Sequence, residues 1–172
     1  MKRIPVSVRN KAEKIKLLLL DVDGVLTDGR IIIDDRGVET KHFHVRDGQG
    51  IALLLSAGIE VGFITARSSR AVSRRAAELG VRAVYQGVAD KVQTYNEIKR
   101  RRRLTDQQIA YVGDDIGDRG ILRQAGLAVL VRDGCAELIP SADLVTRAPG
   151  GKGAVREVAE LLLRAQGKWP SF

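Results

Sequence analysis

Acidic and other polar side chains directly follow four of the apolar runs in this sequence. Two aspartates stand two residues apart in Asp21-Val22-Asp23-Gly24, and a hydroxyl precedes a cation in Thr65-Ala66-Arg67. Lys91 stands at the start of a predicted helix, and three acids crowd the segment 113–118. Ligands of open α/β sheets bind at the carboxyl ends of the strands. We therefore expect these four groups to form one site.

Crowded carboxylates at strand ends repel one another unless a cation neutralises them. Oxygen ligands without a His or Cys cluster favour a hard ion, and Mg²⁺ fits best. Beside such an ion, one aspartate can attack phosphorus and form an aspartyl-phosphate. A second aspartate can protonate the leaving oxygen and then activate water. A lysine and a threonine would offset charge on the phosphoryl oxygens, so the pattern favours phosphoryl transfer.

Short apolar runs alternate with longer segments of helical period, which is typical of a parallel sheet with helices on its faces. We predict strands at 17–22, 61–65, 83–85, 109–112, 127–131 and 143–145. Helices are predicted at 48–57, 69–79, 91–102, 118–124 and 153–165. The predicted fold class is therefore α/β, a three-layer, Rossmann-like parallel sheet whose strand ends position the polar groups.

One segment, directly after the first predicted strand, breaks this alternation. Residues 30–33 and 38–45 are predicted as two strands joined by the tight turn 34–37, which makes an inserted β-hairpin at about 30–45. An isolated hairpin is marginally stable in water, so we expect it to pack on another surface, such as a second subunit. His42 and His44 alternate with Phe43, and we interpret them as surface or interface histidines rather than metal ligands.

Length and composition limit the class of protein. The 172 residues, 44% hydrophobic and 29% charged, predict a single domain over 1–172. No apolar run approaches the ~20 residues of a membrane span, so no membrane partner is expected. The single cysteine, Cys135, and an N-terminus without an apolar signal segment favour the cytoplasm.

The net charge of +8 favours an anionic partner. Aromatic residues make up only 4% of the chain, which is too few for a nucleic-acid stacking platform. A phosphorylated small molecule would be attracted by the same positive field. We therefore expect a small phosphorylated substrate and no nucleic acid.

Four motifs, in this order, resemble those of the haloacid dehalogenase superfamily of phosphohydrolases: the segment 21–27, Thr65, Lys91 and the segment 113–118. From about residue 14 to 168 the chain resembles one family within it, the 3-deoxy-D-manno-octulosonate 8-phosphate phosphatases. The segments that carry this resemblance are DVDGVLTDG, KHFHVRDGQGI, ITAR, YQGVADK, AYVGDDIGD, GLAVLV and GGKGAVREV. That family has no large cap domain, and it forms a tetramer in which the hairpin of one subunit packs at the site of another.

The resemblance implies a Mg²⁺-dependent phosphomonoesterase of lipopolysaccharide sugar synthesis and a homotetramer. It makes Asp21 the nucleophile and Asp23 the general acid and base. Asp21 and Asp114 would hold Mg²⁺ by their side chains, and Asp23 would hold it by its backbone carbonyl.

Three further sets of residues take roles by the same resemblance. The transferred phosphate would be held by Thr65, Ala66 and Lys91. The lysine or the metal shell would be supported by Asp115 and Asp118. The substrate's phosphate, carboxylate and hydroxyls would be contacted by His44, Val45, Arg46, Asp47, Gly48, Arg67 and Arg75, among which arginine suits a carboxylate because its fork binds two oxygens.

Departures from the family pattern leave alternatives open. Ala66 stands in place of a usual glycine, His44 in place of an asparagine, and Ala52 where an arginine is common; Gly117 and Arg119 alter the acidic turn. A nine-carbon keto-acid phosphate or another small phosphosugar is thus an alternative substrate. A non-catalytic tetramerising domain is an alternative of another class. The chain stops at Phe172, so we expect a tail over the site to be short or missing.

Overall fold

The structure is a computed structural model that describes residues 4–170. The strands are β1 (Leu17–Leu20), β2 (Ile32–Ile33), β3 (Glu39–Thr40), β4 (Glu60–Ile64), β5 (Ala83–Tyr85), β6 (Ile109–Gly113), β7 (Leu127–Leu130) and β8 (Leu144–Val145). The helices are α1 (Val6–Ala12), α2 (Val45–Ser56), α3 (Arg70–Leu79), α4 (Lys91–Arg102), α5 (Arg119–Leu122) and α6 (Ala154–Ala165). Short 3-10 turns cover Asp106–Gln108, Ile116–Asp118 and Ala136–Ser141.

Six strands form one parallel sheet in the order β5-β4-β1-β6-β7-β8. The central strand β1 is buried on both faces, as its uninterrupted run of leucines requires. Because side chains alternate along a strand, Leu18 and Leu20 join the core under α1, α2, α3 and α6, whereas Leu17 and Leu19 join the core under α4 and α5. This three-layer arrangement confirms the predicted fold class, and each sheet strand lies within two residues of its predicted bounds.

The hairpin is shorter than predicted, and the helix after it is longer. β2 and β3 pair over Ile32 and Ile33 only, and α2 begins at Val45 rather than at residue 48. The prediction that residues 41–45 continue the second strand is therefore wrong. The apolar–polar alternation there ends in an extended His44, and Asp47 then supplies the acidic group that favours a helix N-terminus.

Two other helices differ from the sequence prediction. The segment predicted as a helix at 118–124 is a 3-10 turn followed by the short α5, because Asp115 caps that turn through the backbone N–H of Ile116. Helix α1 was not predicted; it buries Val8 and Ala12 against the sheet. The predicted domain, 1–172, and the expected short tail, which ends at Phe172, both include residues outside the described range of 4–170.

The hairpin is the only insertion between β1 and α2, and no further domain interrupts residues 4–170. It exposes apolar surface, since Ile31, Ile33 and Val38 are 58%, 57% and 55% exposed. None of the helices in residues 4–170 has the length and hydropathy of a membrane-spanning helix.

Asp47 joins α2 to α6 through a buried carboxylate. Its two oxygens accept the backbone N–H groups of Gly153 at 3.1 Å and Arg156 at 2.7 Å, so a residue more than a hundred positions away caps the last helix. Gly153 itself is the N-cap residue of α6, so the helix begins one residue after its predicted start.

Asp47→Ala is expected to lower the free energy of unfolding by about 1–3 kcal/mol, because it leaves two helix-terminal N–H groups without a buried acceptor. Urea unfolding followed by circular dichroism measures the change. Glu13→Ala, which removes an exposed carboxylate paired only loosely with Arg9 at 3.8 Å, is the matched control. An Asp47→Ala protein as stable as that control would contradict the capping role.

Candidate active site

The carboxyl ends of β1 and β6 and the start of α4 bring three acids and one lysine together. Oxygen atoms of Asp21, Asp114 and Asp118 lie within 4.8 Å of one another. The Nζ atom of Lys91 lies 2.9 Å from Oδ1 of Asp21 and 2.7 Å from Oδ1 of Asp118. The Lys91 side chain is 12% exposed, so this ion cluster is largely shielded from water.

Asp118 holds this cluster in place. Its Oδ1 accepts hydrogen bonds from the buried Tyr111 hydroxyl at 2.6 Å and from Lys91. Its Oδ2 accepts the backbone N–H groups of Asp114 at 2.9 Å and Asp115 at 3.3 Å. Since both of its oxygens are engaged within the protein, Asp118 is suited to support Lys91 and the acidic turn.

The surroundings raise the pKa of Asp21 and of Asp114. Burial, followed by the charge of Asp118, raises the pKa of Asp21 to about 6. Burial, followed by the charges of Asp21 and Asp118, raises the pKa of Asp114 to about 8. Burial alone would lower the pKa of Lys91, but the two carboxylates beside it outweigh that effect and raise it. The cluster therefore has more negative charge than Lys91 neutralises.

The donor set fits a hard divalent cation. Asp114 Oδ1 is buried and has no hydrogen-bond partner, which is costly for a carboxylate oxygen unless a cation approaches it. Gly24, in the turn after Asp21, has a φ of +91°, and a Cβ there would lie 2.0 Å from Asp114 Oδ2. A glycine at this position keeps space open beside the carboxylate. Asp21 and Asp114 are thus placed to hold Mg²⁺.

Mg²⁺ is expected to raise the melting temperature more at pH 8 than at pH 6. The folded pKa values of about 6 for Asp21 and about 8 for Asp114 lie above those of an unfolded chain. Protonation therefore stabilises the metal-free fold at low pH, and this stability is lost as the pH rises through about 6 to 8. Mg²⁺ replaces the protons at high pH and competes with them at low pH.

Thermal unfolding with and without Mg²⁺ at several pH values measures this effect. Asp114→Asn is the comparison variant, and it should show a much smaller gain from Mg²⁺ at every pH. An equal gain at pH 6 and pH 8 in the unmodified protein would contradict the electrostatic account.

Asp23 lies in the turn after β1, beside the end of β4. Its Oδ2 accepts a long hydrogen bond of 3.4 Å from the hydroxyl of Thr65, which is buried. Its Oδ1 accepts a hydrogen bond from Lys41. The Thr65 hydroxyl also accepts the backbone N–H of Arg67 at 3.3 Å. The predicted general acid Asp23, the predicted phosphate-binding Thr65 and the backbone of Arg67 are thus in contact with one another.

Arg67 is held at the edge of this group by the hairpin. Its Nη2 donates to Oε1 of Glu39 at 2.8 Å, and its side chain is 44% exposed. Ala66, between it and Thr65, is exposed. Asp115 is exposed too, and it accepts the N–H of Ile116 at 2.8 Å.

Some predicted substrate residues lie away from the carboxylate cluster. Arg75 pairs with Glu78 at 2.9 Å and lies 6.0 Å from the centre of the Phe43 ring. Gly48 packs against it, because a Cβ there would be 2.1 Å from the arginine Nη2. Arg75 therefore contacts α2, α3 and Phe43, which follows the hairpin.

The remaining members of that set lie at the start of α2. His44 is the N-cap residue of α2, and its Nδ1 is buried without a hydrogen-bond partner, 3.9 Å from Asp47 Oδ2. Val45, 77% exposed, and the exposed Arg46 point outward in the first turn. The Asp47 carboxylate accepts backbone hydrogen bonds from the start of α6. Val45 and Arg46 are therefore accessible on the surface of the protein.

Three residues at the site were missed by sequence reasoning: Glu39, Lys41 and Tyr111. Glu39 and Lys41 stand two positions apart, so in an extended segment their side chains lie on the same face. This Glu-x-Lys spacing is the sequence pattern that could have indicated them. Tyr111 lies inside an apolar strand and gives no such signal, since only its contact with Asp118 reveals its role.

Comparisons with known proteins agree with this geometry. The chain matches no family model. The 3-deoxy-D-manno-octulosonate 8-phosphate phosphatase KdsC of Escherichia coli (strain K12) is 49% identical over 166 residues, which cover 95% of this chain and 88% of that protein. KdsC of Yersinia pestis is 45% identical over 161 residues, covering 94% and 86%.

Solved structures give the same result. The Moraxella catarrhalis 3-deoxy-D-manno-octulosonate 8-phosphate phosphatase, in complex with a magnesium ion, a phosphate ion and a KDO molecule, has a TM-score of 0.92 at 42% identity, covering 94% of this chain and 93% of that one. The Yersinia pestis enzyme has a TM-score of 0.93 at 44% identity, covering 95% and 88%. This chain belongs to the 3-deoxy-D-manno-octulosonate 8-phosphate phosphatase family, within the haloacid dehalogenase superfamily.

Proposed function

We propose that this protein is a Mg²⁺-dependent phosphomonoesterase that hydrolyses 3-deoxy-D-manno-octulosonate 8-phosphate to the free sugar acid and inorganic phosphate. The observation that carries the proposal is the buried cluster of Asp21, Asp114, Asp118 and Lys91 in a chain 49% identical to phosphatases of that name. Clustered carboxylates with raised pKa values are costly to a fold and typical of a catalytic site. A non-catalytic tetramerising domain has no need of them.

The first step is assigned to Asp21 and Asp23. A carboxylate oxygen of Asp21 attacks phosphorus, and the bond from phosphorus to the sugar oxygen breaks as the aspartyl-phosphate forms. Asp23 gives its proton to the departing sugar oxygen. Lys91, held by Asp21 and Asp118, and the Thr65 hydroxyl are placed to stabilise the negative phosphoryl oxygens.

In the second step Asp23 takes a proton from water, whose oxygen attacks phosphorus. The bond between phosphorus and the Asp21 oxygen breaks, and Asp21 returns to its carboxylate form. Asp21, Asp114 and the backbone carbonyl of Asp23 would hold Mg²⁺, which when bound neutralises the carboxylates and phosphoryl oxygens.

The substrate is tested by Mg²⁺-dependent phosphate release from four compounds side by side. These are 3-deoxy-D-manno-octulosonate 8-phosphate, a nine-carbon keto-acid phosphate, arabinose 5-phosphate and p-nitrophenyl phosphate. We expect the highest kcat/KM for the first. Preference for the nine-carbon compound would support that alternative substrate and make Ala52 and His44 the next residues to vary. Inactivity on all four would favour the tetramerising alternative.

A homotetramer is part of the proposal. The exposed Ile31, Ile33 and Val38 of the hairpin, together with Val45, form apolar surface that a second subunit could cover. Within such an assembly we expect Arg46 and Arg67 to lie near a subunit boundary and to contact substrate there. Sedimentation equilibrium tests the mass. A single domain over 1–172 and a cytoplasmic location remain predictions from the sequence.

A further inference from the structure

Lys41 directly follows β3 of the hairpin and has a buried side chain, only 1% exposed. Its Nζ donates to Oδ1 of Asp23 and lies 3.3 Å from Oε1 of Glu39. Removing an ammonium group from water is costly, so a lysine is stable here only because carboxylates pair with it. The segment after the hairpin therefore places the Lys41 ammonium group beside Asp23, the residue that is assigned the proton transfers.

The orientation of the Asp23 side chain depends on its hydrogen bond with Lys41. It lies in a turn rather than in a strand, and its side chain is 21% exposed. Its Oδ2 is held by the long bond of 3.4 Å from Thr65. Lys41 fixes Oδ1 and leaves Oδ2 turned towards Thr65, the side on which the phosphate is expected.

Lys41 is itself fixed by a closed ring of contacts. Glu39 Oε1 lies 3.3 Å from Lys41 and accepts from the Arg67 side chain at 2.8 Å. The Arg67 backbone N–H donates to Thr65 at 3.3 Å, and Thr65 donates to Asp23. The ring thus joins the hairpin to the ends of β1 and β4 and restrains the Asp23 carboxylate from both of its oxygens.

We propose that Lys41 is a positioning residue that holds Asp23 in the orientation needed for proton transfer to the leaving oxygen. The inference rests on the proposed function. In the step concerned, the phosphorus–oxygen bond to the leaving group breaks as the bond to Asp21 forms, and the leaving oxygen takes its proton from Asp23. In this proposal Lys41 acts through Oδ1 of Asp23 rather than on the substrate. It keeps the Asp23 carboxyl group within reach of the leaving oxygen, and small misplacements of such a group slow a reaction strongly.

The test compares leaving groups in single-turnover experiments with the whole protein and Mg²⁺. A sugar oxygen needs a proton as it departs, whereas nitrophenolate is stable without one. In Lys41→Met, release of the sugar acid from 3-deoxy-D-manno-octulosonate 8-phosphate should slow about 100-fold, as expected when general acid catalysis is lost. Release of nitrophenolate from p-nitrophenyl phosphate should change by less than about threefold.

Two variants serve as comparisons. Lys41→Arg keeps a cation and should recover most of the rate with the sugar phosphate. Lys14→Met, the same change at an exposed lysine beyond the opposite end of β1, should react like the unmodified protein with both compounds. Equal slowing with both compounds in Lys41→Met, or no slowing with either, would overturn the proposal.

A second variant covers the case in which Lys41→Met does not fold. Glu39→Gln weakens the contact that fixes Lys41 without removing the lysine, and it should slow release of the sugar acid more than release of nitrophenolate. Equal effects on the two would count against the positioning role. An unmodified protein that releases phosphate from neither compound would overturn the proposed function itself, a result that differs from an active protein whose variants show no leaving-group selectivity.

Discussion

Asp21→Asn is expected to abolish phosphate release, with a loss of at least about 10⁴-fold in kcat, because an amide cannot replace the attacking carboxylate. The fold should remain intact. The substitution removes a buried negative charge that the neighbouring Asp118 opposes, so the melting temperature without Mg²⁺ should stay level or rise. Steady-state phosphate release and thermal unfolding measure the two effects.

Glu13→Gln is the matched control for this change, since it neutralises an exposed carboxylate before the opposite end of β1. It should leave activity unchanged. An Asp21→Asn protein that is folded and retains substantial activity would exclude Asp21 as the nucleophile. A variant that loses both activity and fold would show that the Asp21 carboxylate is needed for stability. The raised pKa of Asp21 predicts the opposite, because it means that the folded protein disfavours the negative charge.

Lys91→Met is expected to lower kcat by about 10²- to 10³-fold, the usual effect of removing a group that stabilises developing charge. The lysine is the cation that links Asp21 to Asp118, at 2.9 and 2.7 Å. Its loss leaves three acids without an internal counter-charge, so the melting temperature without Mg²⁺ should also fall. Added Mg²⁺ should restore part of that stability.

The same two measurements on Lys14→Met control for the loss of a lysine at an exposed position. A folded Lys91→Met protein with unchanged kcat would exclude the lysine from phosphate stabilisation. An unchanged melting temperature without Mg²⁺ would show that protons already neutralise the acids. The measurement is then repeated at higher pH, where the acids lose these protons and the melting temperature of Lys91→Met should fall.

The sheet and the carboxylate cluster could be predicted from the sequence because each depends on local signals. A run of four leucines followed by Asp21-Val22-Asp23-Gly24 defines a buried parallel strand and its polar end. The same reasoning at 113–118 places Asp114 and Asp118 on the neighbouring strand end. Parallel strands share one carboxyl edge, and the three acids meet there because β1 and β6 are neighbours in the sheet.

The contacts that cross between distant elements could not be predicted in this way. The carboxylate of Asp47 caps α6, although no sequence spacing connects it to Gly153 and Arg156. The end of the hairpin, where Lys41 turns inward to Asp23, depends on how an insertion folds back over the sheet edge. Neither contact follows from hydrophobic periodicity, because each joins polar side chains or backbone groups far apart in the chain.

Chemical trapping with borohydride detects the transfer of the phosphoryl group to Asp21. An aspartyl-phosphate is reduced by borohydride to homoserine, which changes the mass of one peptide. The unmodified protein, quenched during turnover with Mg²⁺ and substrate, should carry homoserine at position 21, and neither Asp21→Asn nor a sample without Mg²⁺ should show it. Reduction at Asp23 instead, or at no residue during demonstrated turnover, would exclude Asp21 as the residue that carries the phosphoryl group.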